Sequence, residues 1–286
     1  MARLGVQAMM LKRDVAENGA YATWKRLSDI GLRVVEVSQI ELTERTRDEI
    51  VRAGDDFGMI VAAISAGMGA TGGGGNDSLR ESFDKIVGDC RALGSRRVRI
   101  GMLPMTALAS KDALLSFIAD ANEMARRLAD QGIVLSYHNH HVEFARVDGQ
   151  LILDLIRNEA PDLKLELDVH WIQRGGMDPV TVLEKYAGAI DLVHLKDYRI
   201  GLPPAEAFEA LAAGDQATWA EHWSRLVQFA EVGRGTLDFA GVVEAGIAGG
   251  AEYLLIEQDE QYGRDIYDCL ADSRAHLVEL GYGDLF

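Results

Sequence analysis

Two kinds of pattern alternate along this chain. Short runs are apolar on nearly every residue, and longer stretches carry apolar residues at every third or fourth position. The short runs are LGVQAMM (4–10), RVVEVS (33–38), MIVAAIS (59–65), RVRIGM (97–102), IVLSYHN (133–139), LKLELDV (163–169), DLVHLKD (191–197) and YLLIEQD (253–259). Runs without polar alternation suit strands covered on both faces, as in parallel sheets. Between them, KDALLSFIADANEMARRLADQG has helical spacing and closes on Gly132. DPVTVLEKYAG and LDFAGVVEAGIAGG each open with an Asp and end at a Gly, again as helices do.

Eight strand–helix units in 286 residues predict an α/β fold of the (β/α)8 TIM-barrel type, for which roughly 250 residues is usual. An open doubly wound sheet is the alternative. No break in composition divides the chain, so residues 1–286 are read as one domain. Residues 200–232 hold two short helical patterns, AEAFEALAA and QATWAEHWSRLVQF, and predict an excursion after the seventh strand. TGGGGND (71–77) reads as a flexible loop and not a phosphate loop, since no Lys-Ser/Thr follows the glycines.

Charge removes one class of partner. With 29 Lys and Arg against 45 Asp and Glu the formal charge is -16, and nucleic-acid affinity rests mainly on cations. Cys90 and Cys269 form no zinc-type pair and read as free thiols of a reducing compartment. No long apolar stretch or cleavage pattern is visible, which makes a cytoplasmic protein with no membrane partner the expectation.

The barrel reading can be tested on the placement of reactive side chains, because TIM-barrel sites lie at the C-terminal ends of the strands. Strand five ends in His138-Asn139-His140, strand six in Asp168, strand seven in His194 followed by Lys196 and Asp197, and strand eight in Glu257 and Asp259. Strands two, three and four end around Ser38, Ser65 and Met102 without a histidine, so the chemistry is expected on one half of the barrel mouth. Carboxylates and imidazoles converging from four adjacent strands form a nitrogen and oxygen ligand set suited to one divalent ion. Taken singly, each residue has a structural explanation: a hydrogen-bonded His, a turn-capping Asp168, a solvated Lys196–Asp197 pair. Their coincidence at one end of one fold does not, since burying such groups unpaired costs several kcal/mol.

At these residues the sequence resembles the sugar phosphate isomerase/epimerase family with the xylose-isomerase-like barrel. The resemblance runs through VVEVS, YHNHHVEF, LELDVHWIQRGGMDP, LVHLKDY, EVGRGTLDF and YLLIEQDE. It implies a divalent metal held from strands five to eight, Mn²⁺ first, with Co²⁺, Mg²⁺ or Zn²⁺ as alternatives. Asp168, His194 and Glu257 match three of the four ligand positions. At the fourth, where most of the family has Glu, stands His138, as in a subgroup reading YHNHxxEF. Either His138 replaces that glutamate, or Glu143 swings in from the following loop; His138 is preferred for its rigid strand end, which leaves Glu143 to face the substrate.

The resemblance further implies a sugar or keto-sugar substrate, proton abstraction α to a carbonyl, and a metal-stabilised enediolate. Glu257 would be the base, His138, His140 or Glu143 the partner acid, and Lys196 a donor to the developing oxyanion. Because His138 breaks the paired-glutamate symmetry, a lyase or hydratase of the inosose dehydratase or 3-keto-glycoside eliminating kind stands as the alternative to an isomerase or epimerase. Among further substrate contacts, Trp171 could stack on a sugar or pack in the core, and Arg234 could reach a hydroxyl-rich ligand or remain solvated. Family members are often dimers or tetramers, which leaves a homo-oligomer open. A nuclease of the apurinic endonuclease branch would need extra ligands from the earlier strands.

Overall fold

A computed structural model describes residues 2–69 and 77–286; most of the glycine run at 71–77 lies outside the described residues. Eight parallel strands close a barrel: β1 (Arg3–Gln7), β2 (Val34–Val37), β3 (Ile60–Ser65), β4 (Arg97–Ile100), β5 (Val134–His138), β6 (Lys164–Asp168), β7 (Ile190–Leu195) and β8 (Tyr253–Ile256). Each strand pairs with its neighbours in sequence, and β8 closes on β1 with Arg3 opposite Tyr253 and Val6 opposite Ile256. Each of the eight apolar runs supplies one strand. The open-sheet alternative is excluded by that closure.

The helix signals also act as read. Ser110 caps the helix Lys111–Ala129 by accepting from Ala113 N, and the chain leaves it at Gly132 with φ +74°. Asp178 caps Pro179–Lys185 and Asp238 caps Phe239–Gly249, each accepting a backbone N–H two or three positions into the helix. Caps of this kind contribute about 1 kcal/mol each. The excursion after β7 holds the two expected helices, Ala205–Ala212 and Gln216–Ser224. It also holds an unexpected antiparallel ribbon, Asp197–Ile200 against Val227–Ala230, whose short half-buried strands left no period-two signal to read.

Outward-facing strand residues such as Leu165, Leu167, Val193 and Leu254 join the helices in one large core. The inside of the barrel is different at its two ends. Towards the N-terminal end it is plugged by Val34, Ala62, Leu192 and Leu255, above an Arg97–Asp191 ion pair at 3.0 Å that reaches from β4 to β7. Bonds between strands that are not neighbours can only cross the interior, so the charged groups that follow from β2, β4, β6 and β7 lie inside as well. Gly5 on β1 leaves room for this plug: a Cβ there would lie 2.7 Å from Val34 Cβ. Gly5→Ala should therefore destabilise the protein by about 1–3 kcal/mol through overpacking, measured by denaturant unfolding.

Candidate active site

Asp168 ends β6 and starts the helix Val169–Arg174. One oxygen, Oδ1, accepts from Trp171 N at 3.1 Å and caps that helix. The other, Oδ2, is buried without a hydrogen-bond partner. Capping and site chemistry, which the sequence set against each other, are therefore carried by different atoms of one carboxylate. His194 is the register partner of Asp168 on β7, so the two side chains enter the interior side by side.

His138 ends β5, with Nδ1 3.2 Å from the carbonyl of Gly101. A carbonyl only accepts, so Nδ1 carries the proton and Nε2 presents a lone pair. Burial, then the neighbouring His194 and Arg99, hold His138 well below the ordinary histidine pKa, which keeps it neutral. Its Nε2 has no hydrogen-bond partner and lies 3.4 Å from Asp168 Oδ2. Two acceptors thus face each other in a buried site.

Two further groups complete the cluster. His194 Nδ1 lies 3.8 Å from Asp168 Oδ2 and 2.9 Å from Glu257 Oε2. Glu257 follows β8, and its other oxygen accepts from Gln7 Nε2 of β1 at 2.7 Å. His138, Asp168, His194 and Glu257 each offer one atom, and the four atoms all lie within 4.8 Å of one another. All four residues are buried. Such a set is able to hold a metal ion.

Lys196 is the resident cation at the top of the cluster, 2.7 Å from Asp259, 3.2 Å from Glu257 and 3.7 Å from Asp168. Burial alone would lower its pKa, but Glu257, Asp168 and Asp259 outweigh burial and raise it. Glu257 mirrors this: burial pushes it up, and Lys196 and then His194 hold it well below the usual carboxylate range. Asp259, at the rim, is pushed up to about 6 by burial and by Glu257. Trp171 lies half-buried at the mouth, its ring 5.2 Å from that of His140 and 4.9 Å from Lys196 Nζ.

A second layer below the cluster was not read from the sequence. His194 Nε2 is 3.0 Å from Glu36 of β2 and 3.1 Å from Glu166 of β6. Arg99 of β4 lies 2.5 Å from Glu36 and 3.3 Å from Glu166, and donates to Ser38 at 2.7 Å. The expectation that chemistry is confined to the later strands is thus corrected, because Gln7, Glu36 and Arg99 reach the same network from β1, β2 and β4. Glu36, Glu166 and His194 also lie close enough to hold a cation, but the Arg99 guanidinium already supplies one to both carboxylates. The available signal was a charged residue in the middle of an apolar run, as in VVEVS, RVRIGM and LKLELDV.

Three other expected site residues fall elsewhere. Glu143 is fully buried outside the cluster, accepting from the Tyr137 hydroxyl at 2.5 Å and from His140 N at 2.7 Å. With both oxygens engaged it does not face a substrate, a correction whose cause is the capping turn His141–Phe144. His140 lies beside the cluster, pushed down to about 3 by burial and then by His138, so it is neutral at physiological pH. Arg234 is solvated, 4.0 Å from Asp272 with about two-thirds of its side chain exposed. Its flanking glycines instead lend N–H groups to the buried Asp197, from Gly233 at 2.9 Å and Gly235 at 2.8 Å, so Asp197 is a loop organiser and not half of a solvated pair.

The sequence matches the model of the xylose isomerase-like TIM barrel over residues 24–260. The chain therefore belongs to that family. No curated protein sequence matches it. Among solved structures, a sugar phosphate isomerase/epimerase from Parabacteroides distasonis is similar at 20% identity and TM-score 0.70, over 97% of this chain and 94% of that one. An L-ribulose 3-epimerase is similar at 19% identity and TM-score 0.69, over 100% and 96%. A probable 3-DHS dehydratase from Bacillus anthracis is similar at 13% identity and TM-score 0.65, over 98% and 99%. At these identities the likeness is one of fold. Among the described residues no helix is long and apolar enough to cross a membrane.

Proposed function

We propose that the protein is a divalent-metal-dependent isomerase or epimerase of a sugar or keto-sugar. The observation that supports this most directly is the facing pair of buried acceptors, His138 Nε2 and Asp168 Oδ2, which a cation between them would reconcile. His138, Asp168, His194 and Glu257 would hold one ion, with His194 using Nδ1 while Nε2–H donates to Glu36 or Glu166. Mn²⁺ is the first candidate on the family resemblance, and the thiolate-free set of two imidazoles and two carboxylates would equally accept Co²⁺, Mg²⁺ or Zn²⁺. When bound, the ion supplies Lewis-acid polarisation of a substrate carbonyl, which makes the α-proton acidic.

The remaining steps belong to the chain's own residues. Glu257, held well below the usual carboxylate range by Lys196 and His194, is suited to take the α-proton. Lys196, held cationic by three carboxylates, is placed to donate to the oxygen on which negative charge grows. Trp171 offers a ring face for the sugar at the mouth. Glu143 positions His140 through its backbone. Glu143→Gln should consequently leave metal content unchanged in elemental analysis, whereas loss of the metal would make Glu143 a ligand.

A lyase acting through the same site is the second reading, and one observation favours it. Epimerisation with paired glutamates needs a carboxylate on each side of the substrate, and the β5 side here presents the neutral His138 and His140. Product analysis after incubating metal-loaded protein with ketoses and 3-keto-glucosides separates the two: a rearranged sugar supports the first, and loss of water or of an aglycone the second. Glu257→Gln should slow either reaction by about 10²–10⁴-fold, the usual contribution of a positioned acid or base.

A further inference from the structure

Lys196 and a metal ion would draw on the same two carboxylates. Register brings them together: Ile256 of β8 pairs with Leu195 of β7, so the residues that follow, Glu257 and Lys196, leave neighbouring strands side by side. The Lys196 ammonium lies 3.2 Å from Glu257 and 3.7 Å from Asp168, both members of the four-residue ligand set. It is also enclosed. Lys196 is 2% exposed, and its Nζ rests 4.9 Å from the Trp171 ring and 5.0 Å from the Phe229 ring. A divalent ion on Glu257 and Asp168 would therefore stand beside an enclosed ammonium, and like charges repel strongly in a buried site.

The third carboxylate on Lys196 differs from the other two. Asp259 lies 2.7 Å from Nζ, the shortest of the three contacts, and is outside the ligand set. It sits at the rim, two residues beyond Glu257, with 27% of its side chain exposed. Once an ion takes up the charges of Glu257 and Asp168, Asp259 is the carboxylate left to the ammonium among the described residues. Counting charges leads to the same residue. With the histidines neutral, as ligation by His138 and His194 requires, Asp168, Glu257, Asp259 and Lys196 sum to -2, which a divalent ion brings to zero. Without Asp259 the same ion would leave a net positive charge in a buried site, and uncompensated buried charge is strongly unfavourable.

Resting on the metal-site reading of the cluster, we infer that Asp259 is the counter-ion that lets Lys196 and a divalent ion share the site. It is a positioning residue: it holds the ammonium at the rim, clear of the carboxylates that bind the ion, where Lys196 can donate to the substrate. Lys196 and the metal then compete unless Asp259 is charged and in place.

The test is calorimetric titration of Mn²⁺ into chelator-stripped full-length protein at about pH 7.5, above the value of about 6 to which Asp259 is pushed. Asp259→Asn should weaken Mn²⁺ binding by about 10–100-fold, as loss of an outer partner does. Lys196→Met, which removes the competing charge, should tighten it by about tenfold. The double variant Asp259→Asn/Lys196→Met should return close to wild-type affinity, because a pair whose charges cancel is removed whole. Asp259→Glu, which keeps the charge, should also bind close to wild type. Thermal unfolding without metal checks that each variant is folded; if Lys196→Met is not, the contrast between Asp259→Asn and the double variant carries the test. A double variant that binds as weakly as Asp259→Asn would make Asp259 a ligand or a loop support and overturn the inference, as would unchanged affinity in Asp259→Asn. Wild-type protein that binds no Mn²⁺, Co²⁺, Mg²⁺ or Zn²⁺ would refute the metal site and this role with it, whereas normal wild-type binding with unmoved variants would refute only the role of Asp259.

Discussion

Asp168→Asn should weaken divalent-metal binding by at least about 100-fold, beyond the 10–100-fold typical of losing an outer partner of a metal ligand. This substitution separates the two jobs of the residue. The asparagine Oδ1 can still accept from Trp171 N and cap the helix Val169–Arg174, while an amide replaces the oxygen that faces His138. The fold of the metal-free protein should therefore be unaffected. Wild-type protein should gain thermal stability on adding Mn²⁺, because a ligand that binds only the native state stabilises it by mass action. The variant should lose that gain. Asp168→Ala should bind metal equally poorly and also lose the cap, at about 1 kcal/mol in unfolding experiments. Full metal content in both variants would show that Asp168 is not a ligand.

The second large effect concerns the layer below. Arg99→Met should destabilise the protein by about 3–5 kcal/mol, because removing one partner of a buried ion pair leaves uncompensated charge. Arg99 is 4% exposed and lies against both Glu36 and Glu166. Burial and then the Glu36 charge already push Glu166 up to about 8. Without the guanidinium the two carboxylates would face each other across His194 alone. Chemical denaturation measures the loss. The double variant Arg99→Met/Glu36→Leu should recover part of it, since contacting residues are not additive. A recovery of nothing would place the role of Arg99 elsewhere.

How much of this was legible in the sequence follows from what each feature depends on. The strands and capped helices follow from local periodicity and from single residues such as Ser110, Asp178 and Asp238, so they could be read directly. The C-terminal strand ends could be read too, because the barrel rule converts a position in a run into a position in space and so places His138, Asp168, His194 and Glu257 at one end of the barrel. Glu36, Arg99 and Glu166 were illegible for the opposite reason. Their partners lie on non-neighbouring strands across the barrel, and no short-range pattern marks a cross-barrel pair. Glu143 failed differently: its carboxylate is claimed by Tyr137 and its own turn, a competition that spacing does not reveal.

Whether this cluster binds one divalent ion and uses it to enolise a sugar is decided by following α-proton exchange of keto-sugars in D₂O by NMR. Protein loaded with Mn²⁺ for assay, or with diamagnetic Mg²⁺ or Zn²⁺ for direct observation, should exchange the α-proton for deuterium. Chelator-treated protein and Glu257→Gln should not. Exchange that persists after the metal is stripped, or none with about one ion bound per chain across free and glycosidic keto-sugars, would rule out metal-assisted enolisation at this site.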